Sequence, residues 1–219
     1  DKIEFIYGGV FPSDYYKKMC KKKFEYKKDK RTFDICFVAN KYMEKGIDKG
    51  YDIFIDVCKA LTKISDDTYF HVVGGFNEHD ISIEGLENRI KFYGTRFLQF
   101  FPDFYSKMDI ILSPNKSFVL YPGSFDGFPT GCCAEAACAG VAIFCTDDLN
   151  NNIAFKNNEE ICIINRNVHD IVDKIMYYYS NTDKLYDLSI KGRQKALEVF
   201  DIHEQMKKRV DLLKQYLEN

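Results

Sequence analysis

Two carboxylates, Asp126 and Glu135, are separated by eight residues that are apolar, small or hydroxylic. A glycine-rich loop, GSFDGFP at 123–129, carries the first acid. A helix of small residues, expected over about 131–139, carries the second in its first turns. Thr130 stands where an N-cap hydroxyl is wanted, and Gly140 where a left-handed residue ends a helix. A loop that feeds a helix N-terminus offers unpaired N–H groups to an anion. Two acids bordering such a floor suit a sugar nucleotide: phosphates take N–H donors and cations, and the hydroxyl pairs of ribose and hexose take carboxylate acceptors. The spacing equally admits a plainer reading, in which Glu135 offsets the helix dipole and Asp126 caps a turn.

Strands must deliver these residues to one edge. Apolar runs predict strands over 32–39, 69–73, 90–93, 109–112, 141–145 and 160–164, with a further short strand at 2–7. Helical spacing of Ile53, Phe54, Val57 and Leu61 predicts a helix over about 50–64. Others are expected over 97–108 around Pro102, 168–179, 183–200 and 202–217, and a polar hairpin-like loop after Gly74-Gly75. Strands alternating with helices at this rhythm mean an α/β fold with a doubly wound, parallel, Rossmann-like sheet. Ligands in such sheets bind beyond the carboxyl ends of the strands. Lys41, Lys49, Gly94, Asn115, Asp126 and Thr130 all fall just after strands.

Composition narrows the class. Of 219 residues 46% are apolar, enough for a full core, and no low-complexity tract occurs. A net charge of −2 argues against nucleic acid as the main partner. No apolar run approaches a membrane span. The start, DKIEFIYGG, has neither a signal-peptide pattern nor an initiator methionine, so the chain is expected to be part of a longer one. The lysine-crowded stretch 14–31 admits a face for anionic lipid, but Glu25 and Asp29 dilute its charge and favour a solvated linker or helix. Eight cysteines without a C-x-x-C pair read as reduced core thiols of a cytosolic protein, and the four histidines lack metal-ligand spacing. His71, alternating with apolar neighbours, reads as structural.

The stretch FDGFPTGCCAEAACAGVAIF resembles the donor-binding signature of retaining glycosyltransferases of family 4, E-G-F-x-x-x-x-x-E-A-x-A-x-G-x-P. Asp replaces the first Glu, the gap is one residue longer, and Val141-Ala142 stands at the usual Pro. The resemblance implies that Glu135 holds the nucleotide ribose and that Asp126 meets the transferred sugar. Backbone groups of Gly127, Phe128, Pro129, Thr130 and Gly131 would meet sugar or diphosphate. Lys49-Gly50-Tyr51-Asp52 resembles the family's K-G-x-D, whose lysine binds diphosphate with an Arg at the preceding strand end; here Asn40 or Lys41 holds that place. Lys45-Gly46 is a second registration, and Lys49 is favoured because the helix follows it directly. The turn Gly94-Thr95 would face the base. FYSKMDIILSPNKS and KGRQKALEVF resemble two further family segments, whereas the family's loop acid after 145 has no assigned counterpart.

The resemblance covers about 3–217 and matches only the C-terminal half of a GT-B fold. It implies a linker and basic segment at 1–31 and a nucleotide-sugar-binding domain at 32–219. The acceptor-binding half would precede residue 1. The activity implied is transfer of a hexose or deoxyhexose from a nucleoside diphosphate to a glycan or glycolipid in polysaccharide biosynthesis. No metal or other cofactor is expected: Asp126 and Lys49 would serve the reacting end, with Lys41 and the helix start meeting leaving-group charge. The location implied is cytoplasmic, with peripheral contact at the inner membrane face. Two other classes remain, a non-catalytic nucleotide-binding or structural module and an isomerase of the same fold.

Overall fold

A computed structural model describes residues 6, 15–16 and 30–217. Strands β1 (Phe33–Val38), β2 (Thr68–Val73), β3 (Ile90–Phe92), β4 (Ile110–Ser113), β5 (Ala142–Thr146) and β6 (Cys162–Ile164) lie parallel in one sheet, in the order β3-β2-β1-β4-β5-β6. Helices α1 (Tyr51–Leu61), α2 (Phe101–Tyr105), α3 (Gly131–Cys138), α4 (Val168–Ser180), α5 (Thr182–Val199) and α6 (Ile202–Leu217) complete the order. Every residue of β1, β4 and β5 is buried, as strands covered on both faces require. Side chains of β1 alternate between two cores. Ile35 and Phe37 pack with Phe54 of α1 and Ile171 of α4, while Cys36 and Val38 pack with Ala134 of α3 and Ala196 of α5. The expected doubly wound parallel sheet is therefore present, with its switch point between β1 and β4.

Several expectations shift. The β2-to-β3 connection is neither helix nor hairpin: the strands are parallel, and 74–89 crosses as an irregular loop whose Leu86 is fully buried. The helix expected over 97–108 is a 3-10 turn, Leu98–Phe100, leading into the short α2, which starts with Pro102 in its first turn and stops at Tyr105. The strand expected at 2–7 lies outside the described residues but for Ile6, and so does most of 14–31. The described members of that basic segment depart from a solvated linker. Tyr16 is fully buried against the α3 core, and the Lys30 side chain is buried between Asp34 and Asp109.

Candidate functional site

Two close backbone approaches build the cavity. Gly50 takes φ 76° and brings the start of α1 against the end of β4, where a Cβ would lie 2.0 Å from the Pro114 carbonyl. Arg166 clamps the same junction, donating to the Pro114 carbonyl and to both Asp52 carboxylate oxygens. Gly74, at φ 133°, packs onto the Ala39 carbonyl with the same 2.0 Å constraint. No L side chain fits either place, so both glycines are required by close approach. The strand ends at Val38 and Val73 then open onto one cavity of 390 Å³ at the switch point. That volume is within the range of small-molecule sites.

Lys49 ends the 3-10 turn Glu44–Lys49 and reaches into this cavity. Its ammonium is 2.6 and 2.8 Å from the two Asp126 oxygens and lies 4.8 Å above the Tyr42 ring. Asn115, just past β4, also donates to Asp126, and its own amide oxygen accepts from Ser113 Oγ at 2.7 Å. Asp126 thus accepts from side chains brought in from other elements, which disposes of the turn-cap reading. Lys45 is exposed and left-handed at φ 59°, so the geometry favours the Lys49 registration.

Thr130 has the extended backbone of an N-cap, but its hydroxyl makes no capping bond and lies 3.1 Å from Cys132 Sγ. The first N–H groups of α3 therefore face the cavity without a side-chain cap. Thr130, Gly131, Cys132 and Glu135 line it together. Glu135 sits beyond the first turn, which carries no acid, so the dipole reading loses its footing. Burial raises the Glu135 pKa, and the hydroxyl of Tyr16 facing it pulls the other way. Cys132 departs from the expectation of core thiols. It is half-buried at the cavity wall, and the neighbouring Cys133 thiol and burial push its thiol pKa well up. The other described cysteines are buried.

Of the residues expected at the site, Lys49, Thr95, Asp126, Thr130, Gly131 and Glu135 meet around one cavity. Gly127 and Phe128 line a 30 Å³ recess behind Asp126, and Pro129 is buried after a cis Phe128–Pro129 bond. Gly94 does not line the cavity; its carbonyl accepts from the Gly74 N–H at 3.0 Å. Lys41 does not line it either, because its ammonium pairs with Asp80 of the loop 74–89. The cation that sequence reading missed is Arg96, one residue past Gly94-Thr95, which lines the cavity beside Phe101. After β5, Asp147 accepts from the Asn151 and Asn152 N–H groups and Asp148 from that of Ser117, so both acids fold loops. Among the described residues no group of three or more His, Cys, Asp and Glu is placed to hold a metal ion, and no helix is long and apolar enough to cross a membrane.

Comparison with known proteins agrees with this geometry. No curated protein matches the sequence. Solved structures match closely in fold. One is Alr3699/HepE of Anabaena in complex with UDP and glucose, with TM-score 0.75, 17% identity, and 96% of this chain covered against 56% of that one. A glycosyltransferase of Rickettsia africae gives TM-score 0.72 at 18% identity, covering 98% of this chain and 57% of the other. The C-terminal domain of the group 1 glycosyl transferase LpcC of Francisella tularensis gives TM-score 0.62 at 18% identity, covering 82% and 91%. The chain spans a little over half the length of the first two matches and nearly all of the C-terminal domain of LpcC. Its fold is thus that of the C-terminal, Rossmann-like half of a GT-B protein. The model of the family described as glycosyl transferases group 1 matches residues 19–195, most of the chain, and the protein belongs to that family.

Proposed function

We propose that this chain is the donor-binding half of a retaining, metal-independent glycosyltransferase of the family 4 type. The whole protein would transfer a hexosyl group from a nucleoside diphosphate to a glycan or glycolipid in polysaccharide biosynthesis. Residues 32–219 form the donor domain, 1–31 the link to an acceptor-binding half, and the protein works in the cytoplasm at the inner membrane face. The observation that carries this reading is the convergence, around one 390 Å³ cavity, of an uncapped helix start, Glu135, and the cations Lys49 and Arg96. Complexes of Alr3699/HepE with UDP and with UDP-glucose support it.

In this scheme Glu135 accepts from the ribose hydroxyls, and its unfavourable burial is relieved when they arrive. The diphosphate lies over the N–H groups at Gly131 and Cys132, between Lys49 and Arg96. Lys49 exchanges Asp126 for a phosphate oxygen, which releases the Asp126 carboxylate to the sugar hydroxyls. As the glycosidic C–O bond breaks, negative charge gathers on the leaving diphosphate, and these donors already point at it. Calorimetry with UDP, GDP and uridine tests the scheme. Diphosphates should bind more tightly than nucleosides, EDTA should leave affinity unchanged, and the purified chain should transfer little without its acceptor half. A large magnesium requirement, or diphosphates binding no better than nucleosides, would reject it.

A further inference from the structure

Asn115, just past the end of β4, is half-buried in the wall of the main cavity. Its backbone carbonyl accepts from the Thr146 hydroxyl at 2.7 Å, and its amide oxygen accepts from Ser113 Oγ at 2.7 Å. Both hydroxyl residues are buried, at the ends of β5 and β4. The amide nitrogen donates to Asp126 Oδ2. Turning the amide over would set its oxygen against that carboxylate, so its orientation is fixed. An amide nitrogen carries two N–H groups. One meets Asp126, and the other has no acceptor among the described residues.

The partners of Asp126 change when a donor binds. Lys49, 2.6 and 2.8 Å from the two Asp126 oxygens, then moves to a phosphate oxygen. Asn115 stays, so the carboxylate cannot follow the lysine, and Oδ1 is left open. A carboxylate only accepts and an amide N–H only donates, whereas a hydroxyl does both. Side by side, Asp126 and Asn115 therefore match two neighbouring hydroxyls of a sugar. The 30 Å³ recess behind Asp126, which Asn115 also lines, has room for about one water, so the ring itself stays in the main cavity. We propose that Asn115 is a specificity-determining residue for the transferred sugar: it positions Asp126 and donates its second N–H to the hydroxyl next to the one Asp126 takes. The proposal rests on the donor reading of the cavity and adds to it that the sugar must carry a vicinal diol.

Calorimetry on the 219-residue chain with UDP, GDP, UDP-glucose, UDP-galactose and GDP-mannose tests this. The readout is the ratio of the diphosphate Kd to the Kd of its sugar derivative, in which changes at the nucleotide end cancel. Asn115→Ala should lower that ratio about tenfold for at least one sugar. Asn115→Asp, of the same size but without the N–H groups, should lower it as well, so a misfolded alanine variant would not hide the effect. Monodeoxy derivatives of that nucleotide sugar then separate contact from support. Loss of one hydroxyl should weaken binding in the natural sequence and hardly at all in Asn115→Ala. The neighbouring hydroxyl should show the same coupling to Asp126→Ala. A ratio that neither Asn115 variant changes overturns the proposal, as does a loss spread evenly over every monodeoxy derivative. Coupling to Asp126→Ala alone would overturn the Asn115 contact with the sugar. In each of these cases diphosphate binding leaves the donor reading standing. Should neither diphosphates nor nucleotide sugars bind, the donor reading falls, and the role of Asn115 falls with it.

Discussion

The two edges of the sheet treat charge in opposite ways. At the edge where β1 and β4 begin, Asp34, Asp109, Lys30 and His71 form a closed buried network. Lys30 pairs with Asp34 at 2.9 Å and with Asp109, and Asp34 holds His71 Nε2 at 2.6 Å. His71 Nδ1 in turn meets the Tyr93 hydroxyl at 3.0 Å. At the opposite edge the helix start is uncapped, burial raises the pKa of Glu135, Asp48 keeps a buried oxygen with no hydrogen-bond partner among the described residues, and Lys49 holds Asp126 in a pair that is 34% exposed on the acid side. The first edge spends its charges on the protein itself. The second leaves donors and acceptors for something else. Strain and incomplete satisfaction concentrated at one edge are what a binding site demands of its scaffold.

Breaking the closed edge should have the largest effect. Asp34→Ala leaves Lys30 and His71 without their shared carboxylate in a buried setting, so unfolding stability should fall by about 3–5 kcal/mol. Nucleotide affinity of the folded fraction should be unchanged. Burial alone would raise the Asp34 pKa, but the hydrogen bond from His71, the Lys30 charge and the Thr32 hydroxyl hold it at about 2. Because the folded pKa is the lower one, this contribution is complete above the ordinary aspartate range. It is lost as pH falls from there through about 2. Urea titrations at stepped pH check both claims. A stability change within the range of ordinary surface substitutions would dissolve the contrast between the two edges.

A smaller effect, of opposite kind, is expected at the open edge. Glu135→Gln should weaken UDP binding by about 1.5–3 kcal/mol, the scale of a hydrogen bond to a charged group. Its folded pKa is raised by burial, so its contribution to stability is most favourable below the ordinary glutamate range and declines as pH rises through the folded value. Removing the charge should leave stability equal or higher. Calorimetry and thermal melts on the same variant separate the terms. Lost stability with unchanged affinity would make Glu135 part of the scaffold.

The sheet was legible because apolar runs fix strands one by one, and residues just past them must share an edge. Asp126 and Thr130 stand at such places, whereas Glu135 rests on the spacing of the two acids and Lys49 on the resemblance of Lys49-Gly50-Tyr51-Asp52 to K-G-x-D. What escaped depends on pairs distant in sequence. Lys41 fits the phosphate position locally, yet Asp80, 39 residues on, takes its ammonium. Arg96 supplies a cation to the cavity from a turn where only backbone groups were expected. Lys30 reads as one more solvated lysine until Asp109, 79 residues away, buries it. Asp48 stands beside Lys49 in sequence, and nothing local says that one of its oxygens will be unpaired. Local pattern sets where the chain runs, whereas the partner of a charge is set by which loops the sheet brings together.

The smallest effect tests the open edge most finely. Lys49 and Lys45 both precede a glycine, but one is buried in the cavity wall and the other is exposed on a left-handed turn. Lys49→Ala should cost diphosphate binding only about 1–2 kcal/mol, less than a full charged contact. In the free protein that ammonium is already satisfied by Asp126 at 2.6 Å, so donor binding exchanges one anion for another. Nucleoside affinity should be unchanged, because the lost interaction involves phosphate alone. Lys45→Ala should leave both affinities as they are. The exchange has a further signature: in Asp126→Asn the lysine has lost its nearest carboxylate and keeps only Asp48 at 3.9 Å, so UDP should bind as tightly as in the natural sequence or more tightly. Titrating UDP, GDP and the matching nucleosides into the three variants decides it. A larger, phosphate-specific loss in Lys45→Ala would move the phosphate lysine four residues back. Weaker UDP binding in Asp126→Asn would mean that the pair holds Lys49 in place and is not exchanged.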